Sequence, residues 1–131
     1  MEISVSLIVK AGSFDLSAIE AALEEYAEKC AMEMEFDLIE KWGGHYVVSM
    51  TDSNGNEPLY LDISKYLDEA LSSEIHVSGV GEEFYLFFVR RDKASKSYLL
   101  KVWEEEDPEV LLEYQDWFND GLPEELQVHY L

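Results

Sequence analysis

From Phe84 to Val89 the chain is apolar at every position. A strand with one face in water alternates apolar and polar residues, because successive side chains point to opposite faces. An unbroken apolar run therefore predicts a strand at the centre of a sheet, covered on both faces. Asp92-Lys93-Ala94-Ser95 supplies turn residues, and Tyr98 to Trp103 runs back with only Lys101 to interrupt it. The two runs predict a hairpin.

A helix is predicted next. Asp107 suits the N-cap, Pro108 the first helical position, and Gly121 the left-handed residue that ends many helices. Val110, Leu111, Tyr114, Trp117 and Phe118 make one apolar stripe at helical spacing. Glu109, Glu113, Asp116 and Asp120 make a second stripe, on the opposite side, with no cation among them.

The chain before this stretch switches period several times. Ile3, Val5, Leu7 and Val9 alternate with Glu2, Ser4, Ser6 and Lys10, which predicts a half-buried strand. Asp15 or Ser17 can cap a helix in which Ile19, Ala22, Leu23, Tyr26, Ala27 and Cys30 share one face. Glu20, Glu24, Glu25 and Glu28 line its outer side, with Lys29 as the counter-charge. Met32, Met34, Phe36 and Leu38 alternate again, and Gly43-Gly44 offers a tight turn into a strand from His45 to Thr51. Pro58 to Ile63 reads as a short strand, and Tyr66, Leu67, Ala70 and Leu71 as a short helix begun by Asp62 or Ser64. Glu74 to Val80 is a further strand candidate, closed by Gly79 and Gly81. Leu126, Val128 and Tyr130 suit either a final edge strand or a docked tail. The order predicts an α+β domain over residues 1–131: an antiparallel sheet with a central hairpin, and two to three helices packed on one side.

Chemistry-bearing motifs are sparse. The stretch Asp52-Ser53-Asn54-Gly55-Asn56-Glu57 has oxygen ligands, but its spacing departs from a calcium-binding EF-hand and fits a turn. His45, His76 and His129 are scattered among apolar strand residues, which predicts solvent-facing histidines. Cys30, the single cysteine, excludes an internal disulfide, and its stripe predicts a buried core residue. Gly79-Val80-Gly81 is followed by Glu82-Glu83, which would repel a phosphate. No nucleophile–base set stands out, so the expectation is a protein without catalytic residues, cofactor or metal.

Charge is the remaining signal. Lys and Arg number 9 against 29 Asp and Glu, a formal charge of -20, in a chain that is 47% hydrophobic. That apolar content supports a folded domain despite the charge. Phosphate neutralisation drives nucleic-acid affinity, so direct nucleic-acid contact is not expected, nor contact with anionic membranes. No apolar run approaches the roughly 20 residues of a membrane span, and MEISVSLIVKAG lacks the basic start of a signal peptide. The expected location is the cytoplasm. The charges are segregated: Arg90, Arg91, Lys93, Lys96 and Lys101 lie in or beside the hairpin, and no Lys or Arg follows Val102.

In size, acidity and lack of catalytic motifs the chain resembles small bacterial immunity proteins, which neutralise toxins by covering an active site or an adjacent patch. The resemblance implies inhibition without chemistry and a basic partner, most simply a cognate toxin domain of nuclease type. On this reading Glu104, Glu105, Glu106, Glu109, Glu113, Asp116 and Asp120 form the docking surface, with Trp117 as an aromatic anchor. Two other readings stand beside it. One is a DNA mimic that inhibits a DNA-binding protein; the other is a small enzyme or an ordinary domain of a halophile.

Overall fold

Alternation over Ile3–Lys10 is realised as β1, with Ile3, Val5, Leu7 and Val9 buried. Helix α1 (Leu16–Lys29) follows; its N-cap Asp15 accepts from the Ala18 N–H at 3.3 Å. Strands β2 (Leu38–Trp42) and β3 (His45–Asp52) form a hairpin across Gly43-Gly44, where Gly43 has φ +54. Then come α2 (Glu57–Leu71), β4 (Ile75–Val80), β5 (Leu86–Arg91), β6 (Ser97–Lys101) and α3 (Pro108–Asn119). A short 3-10 turn over Glu124–Leu126 leads into the tail. This computed structural model describes residues 3–30, 36, 38–52, 57–81, 86–91, 97–101 and 107–129. The strand start expected at Phe84, the turn expected at 92–95, Met32, Met34, Trp103 and the loop residues 53–56 lie outside the described residues.

Among the described residues all pairings are antiparallel, in the order β2-β3-β1-β4-β5-β6, and three helices complete the α+β architecture expected from the sequence. Strand β5 is interior, paired to β4 and β6. The second strand of its hairpin forms the sheet edge, so β1 and β4 occupy the middle of the order. Among the described residues no helix is long and apolar enough to cross a membrane.

The alternation of each strand divides the core in two. Ile3, Val5, Leu7, Val9, Val77, Phe87 and Val89 meet Ile19, Leu23 and Tyr26 of α1 and Tyr60, Ile63 and Leu67 of α2. On the other face Ile8, Leu86 and Phe88 meet Phe118 of α3 and Leu122 just beyond it. The helices therefore cover both faces, against the one-sided packing expected. The apolar character of Leu86 to Val89 has the cause inferred for it: Phe87 and Val89 face one core, Leu86 and Phe88 the other.

Two local readings need correction. Pro58 to Ile63 is helical, because Leu59, Tyr60 and Ile63 continue the spacing of Tyr66, Leu67 and Leu71. A short apolar run suits either period, and Pro58 in the first turn has no N–H to lose. Cys30 is exposed, because it caps the C-terminus of α1 beyond the part of the stripe that meets the sheet.

Gly79 does not close β4 but lies within it, opposite Phe87 in the β5 register. The Phe87 ring, stacked on Tyr60 at 5.2 Å, occupies the space a Cβ would take. Gly79→Ala is thus expected to destabilise the fold by about 1–3 kcal/mol. A urea midpoint equal to that of the unaltered chain would show that β4 and β5 do not pack this closely.

Candidate functional site

Helix α3 is built as its capping residues require. The Asp107 carboxylate accepts from the Glu109 N–H at 3.0 Å, Pro108 opens the first turn, and Gly121 follows the helix with φ +86. Phe118 is fully buried, while Leu111, Tyr114 and Trp117 are half-buried against the second core. The buried face also holds two polar residues the apolar stripe did not single out, Gln115 and Asn119. Asn119 has a specific task. Its side-chain NH2 donates to the Val128 carbonyl at 2.9 Å, and its Oδ1 accepts from the Val128 N–H at 2.8 Å. A carboxamide has the same donor–acceptor pair as a strand neighbour, so Asn119 holds the tail as a docked segment.

Glu109, Glu113 and Asp116 are exposed on the side of α3 away from the sheet, and Asp120, which caps the C-terminus, is exposed too. Leu112, 45% exposed, borders this stripe on one flank and Trp117 on the other. Glu104, Glu105 and Glu106 lie outside the described residues. Among the described residues Glu109, Glu113 and Asp116 have no ion-pair partner.

Asp120 does have one, and it comes from the sheet. Arg90 of β5 donates from Nη1 to the Trp117 carbonyl at 2.6 Å and lies 3.9 Å from the Asp120 carboxylate. Its guanidinium sits 5.9 Å from the centre of the Trp117 ring. A cation at a helix C-terminus meets the negative end of the helix dipole and donates to one of its last carbonyls. Arg90 therefore fixes the backbone and the ring of Trp117 together. Helical spacing on α3 alone could not reveal this, because the cation lies on another element.

The outer side of α1 carries Glu20, Glu24, Glu25 and Glu28, all exposed, with Lys29 3.4 Å from Glu25. Its inner edge is tied to α2 by Tyr26, whose hydroxyl donates to Asp62 at 2.6 Å. Burial, and then the Asp62 carboxylate, push that hydroxyl well above the usual tyrosine range. Because α1 and α3 cover opposite faces of the sheet, their acidic stripes point away from each other.

Two of the three histidines are not solvent-facing. His45 and His76 are buried on the α3 side of the sheet; His129 is exposed. Alternation placed both rings on the face opposite Tyr46, Ile75 and Val77, and α3 with its tail covers part of that face. His76 meets Phe118 nearly edge-on, at 5.4 Å. Burial holds its pKa down at about 3, helped by the charges of Arg90 and His45, while a hydrogen bond to the Asp120 backbone opposes them. Burial and then Lys10 lower the pKa of His45, opposed by Glu74. Among the described residues no three His, Cys, Asp or Glu side chains are grouped so as to hold a metal ion.

No protein-family model matches the chain, and no curated protein or solved structure is significantly similar to it.

Arg90→Met keeps most of the side-chain volume and removes the charge. Loss of the charged hydrogen bond to Trp117 is expected to lower unfolding stability by about 1.5–3 kcal/mol, read by urea denaturation. An unchanged midpoint would mean that the C-terminus of α3 is held by its apolar contacts alone.

Proposed function

We propose that this chain is a non-catalytic binding protein that neutralises a basic protein partner, as an immunity protein neutralises a nuclease-type toxin. The outer face of α3 is its docking surface. What supports the reading is one arrangement: Glu109, Glu113 and Asp116, exposed and without ion pairs among the described residues, lie between Leu112 and Trp117. Like charges on one helix face repel, so an uncompensated stripe lowers the stability of the free protein. Such a stripe speeds and orients the approach of a cationic partner. The flanking apolar side chains supply area to be desolvated on contact, and tryptophan is among the residues that dominate binding energy. The opposed stripes of α1 and α3 favour a partner seated on one face over a duplex-like double row of charge.

The test uses a candidate toxin domain and two charge-reversed variants. Glu109→Lys with Glu113→Lys and Asp116→Lys should slow association at low salt by at least about tenfold. Glu20→Lys with Glu24→Lys and Glu28→Lys should leave it within about twofold. If reversal of the α3 face changes neither affinity nor its salt dependence, α3 is not the docking surface. Should both reversals be silent, acidic docking itself is wrong.

The same uncompensated charge predicts the behaviour of the free protein. Between low ionic strength and about 0.15 M salt the Debye length falls from ~30 to ~8 Å. The melting temperature should rise by several degrees across that range. A flat profile would show that the carboxylates are too dispersed to repel.

A further inference from the structure

We propose that His76 is a proton-sensitive latch: neutral, it holds α3 and the C-terminal tail on the sheet, and protonated, it releases them. The inference does not rest on the docking role of α3, although release would dismantle that surface.

Geometry carries it. His76 is 3% exposed and lies between Ile8 of β1 and Arg90 of β5 in the strand register, beneath Phe118 of α3. Its Nε2 has no hydrogen-bond partner among the described residues, and neither has Nδ1 of the buried His45. A neutral ring tolerates this, since it carries an unused lone pair and no charge. A protonated ring would place an N–H and a positive charge in an apolar enclosure with no acceptor for that nitrogen, at a heavy desolvation cost.

The surrounding charges do not rescue the cation. Arg90 from β5 and His45 from β3 both oppose it; Lys10, at the end of β1, lies beside His45. Asp120, at the end of α3, favours it through a backbone hydrogen bond, but its carboxylate is already close to Arg90. Glu74, before β4, acts on His45. Movement of α3 exposes the ring and removes the burial penalty, the largest of these effects, and water then screens Arg90 and His45, which stay on the sheet. The second core is also the smaller one: its buried members among the described residues are Ile8, Leu86, Phe88, Phe118 and Leu122, and Leu111, Tyr114 and Trp117 of α3 are only half-buried against them. Segments with few buried contacts open first.

The sign follows from the depressed pKa of about 3 in the closed state. Closure binds fewer protons than release, so it is favoured above the pKa of an exposed ring, ~6.5, and weakens as pH falls below it. From pH 7 to pH 5 the released population should grow roughly 25-fold. Relief of repulsion among the unpaired surface carboxylates acts in the opposite sense, and the His76 variants below separate the latch from any change elsewhere.

The experiment is amide hydrogen exchange on the full chain at both pH values, corrected for intrinsic rates, with α1 as internal reference. Protection in α3 should fall roughly 25-fold while α1 changes by less than about threefold. In His76→Leu the fall should vanish, and His76→Gln serves if the leucine variant does not fold. Constant protection in α3, an equal fall in α1, or an undiminished fall in the variant that folds would overturn the latch. So would a His76 ring seen by NMR to titrate near ~6.5 while α3 stays protected.

Discussion

One strand joins the two halves of this protein. Because side chains alternate along β5, Phe87, Val89 and Arg91 face α1 and α2, while Leu86, Phe88 and Arg90 face α3. Each core takes a phenylalanine from this strand, and each face takes an arginine. Arg91 reaches Asp68 of α2 at 2.8 Å, and Arg90 reaches the C-terminus of α3. Both bonds are partly shielded from water, so they contribute more than the exposed pair Lys29–Glu25 can. The strand therefore works as a shared wall whose two sides are stabilised by the same pair of devices.

That arrangement explains how a chain of charge -20 folds. The described arginines are spent inside, on helix ends and buried edges, and the acidic stripes of α1 and α3 are left outside. Stability comes from the apolar cores, and the surface opposes it. Internal use of Arg90 also positions Trp117 at the border of the acidic stripe, so the same contact that secures α3 shapes the proposed docking face. His76 lies beside that contact, which makes the attachment of α3 sensitive to pH.

Much of this was legible in the residues. The alternation of Ile3 to Lys10, the caps Asp15, Asp107 and Gly121, and the unbroken run ending at Val89 each act locally, through backbone preference or side-chain period. The exposed acids of α3 were legible for the same reason. Pro58 to Ile63 was not, since so short an apolar run fits a strand as well as a helix. Nor were Gln115 and Asn119, whose polarity hid them from an apolar stripe; hydrogen bonds to Val128 allow Asn119 to be buried.

By itself, then, the sequence determined which segments are helix or strand wherever period and caps agree, and that the surface is acidic. Only the tertiary structure decided which face of the sheet each helix covers, that His45 and His76 are buried on the α3 side, that His76 lies under Phe118, that Cys30 is exposed, and that Arg90 serves α3. The physical reason is range. Alternation tells which residues share a face, but what covers that face depends on segments distant along the chain. The burial of His76 follows from the docking of Phe118, and the role of Arg90 from a helix that begins well beyond the hairpin.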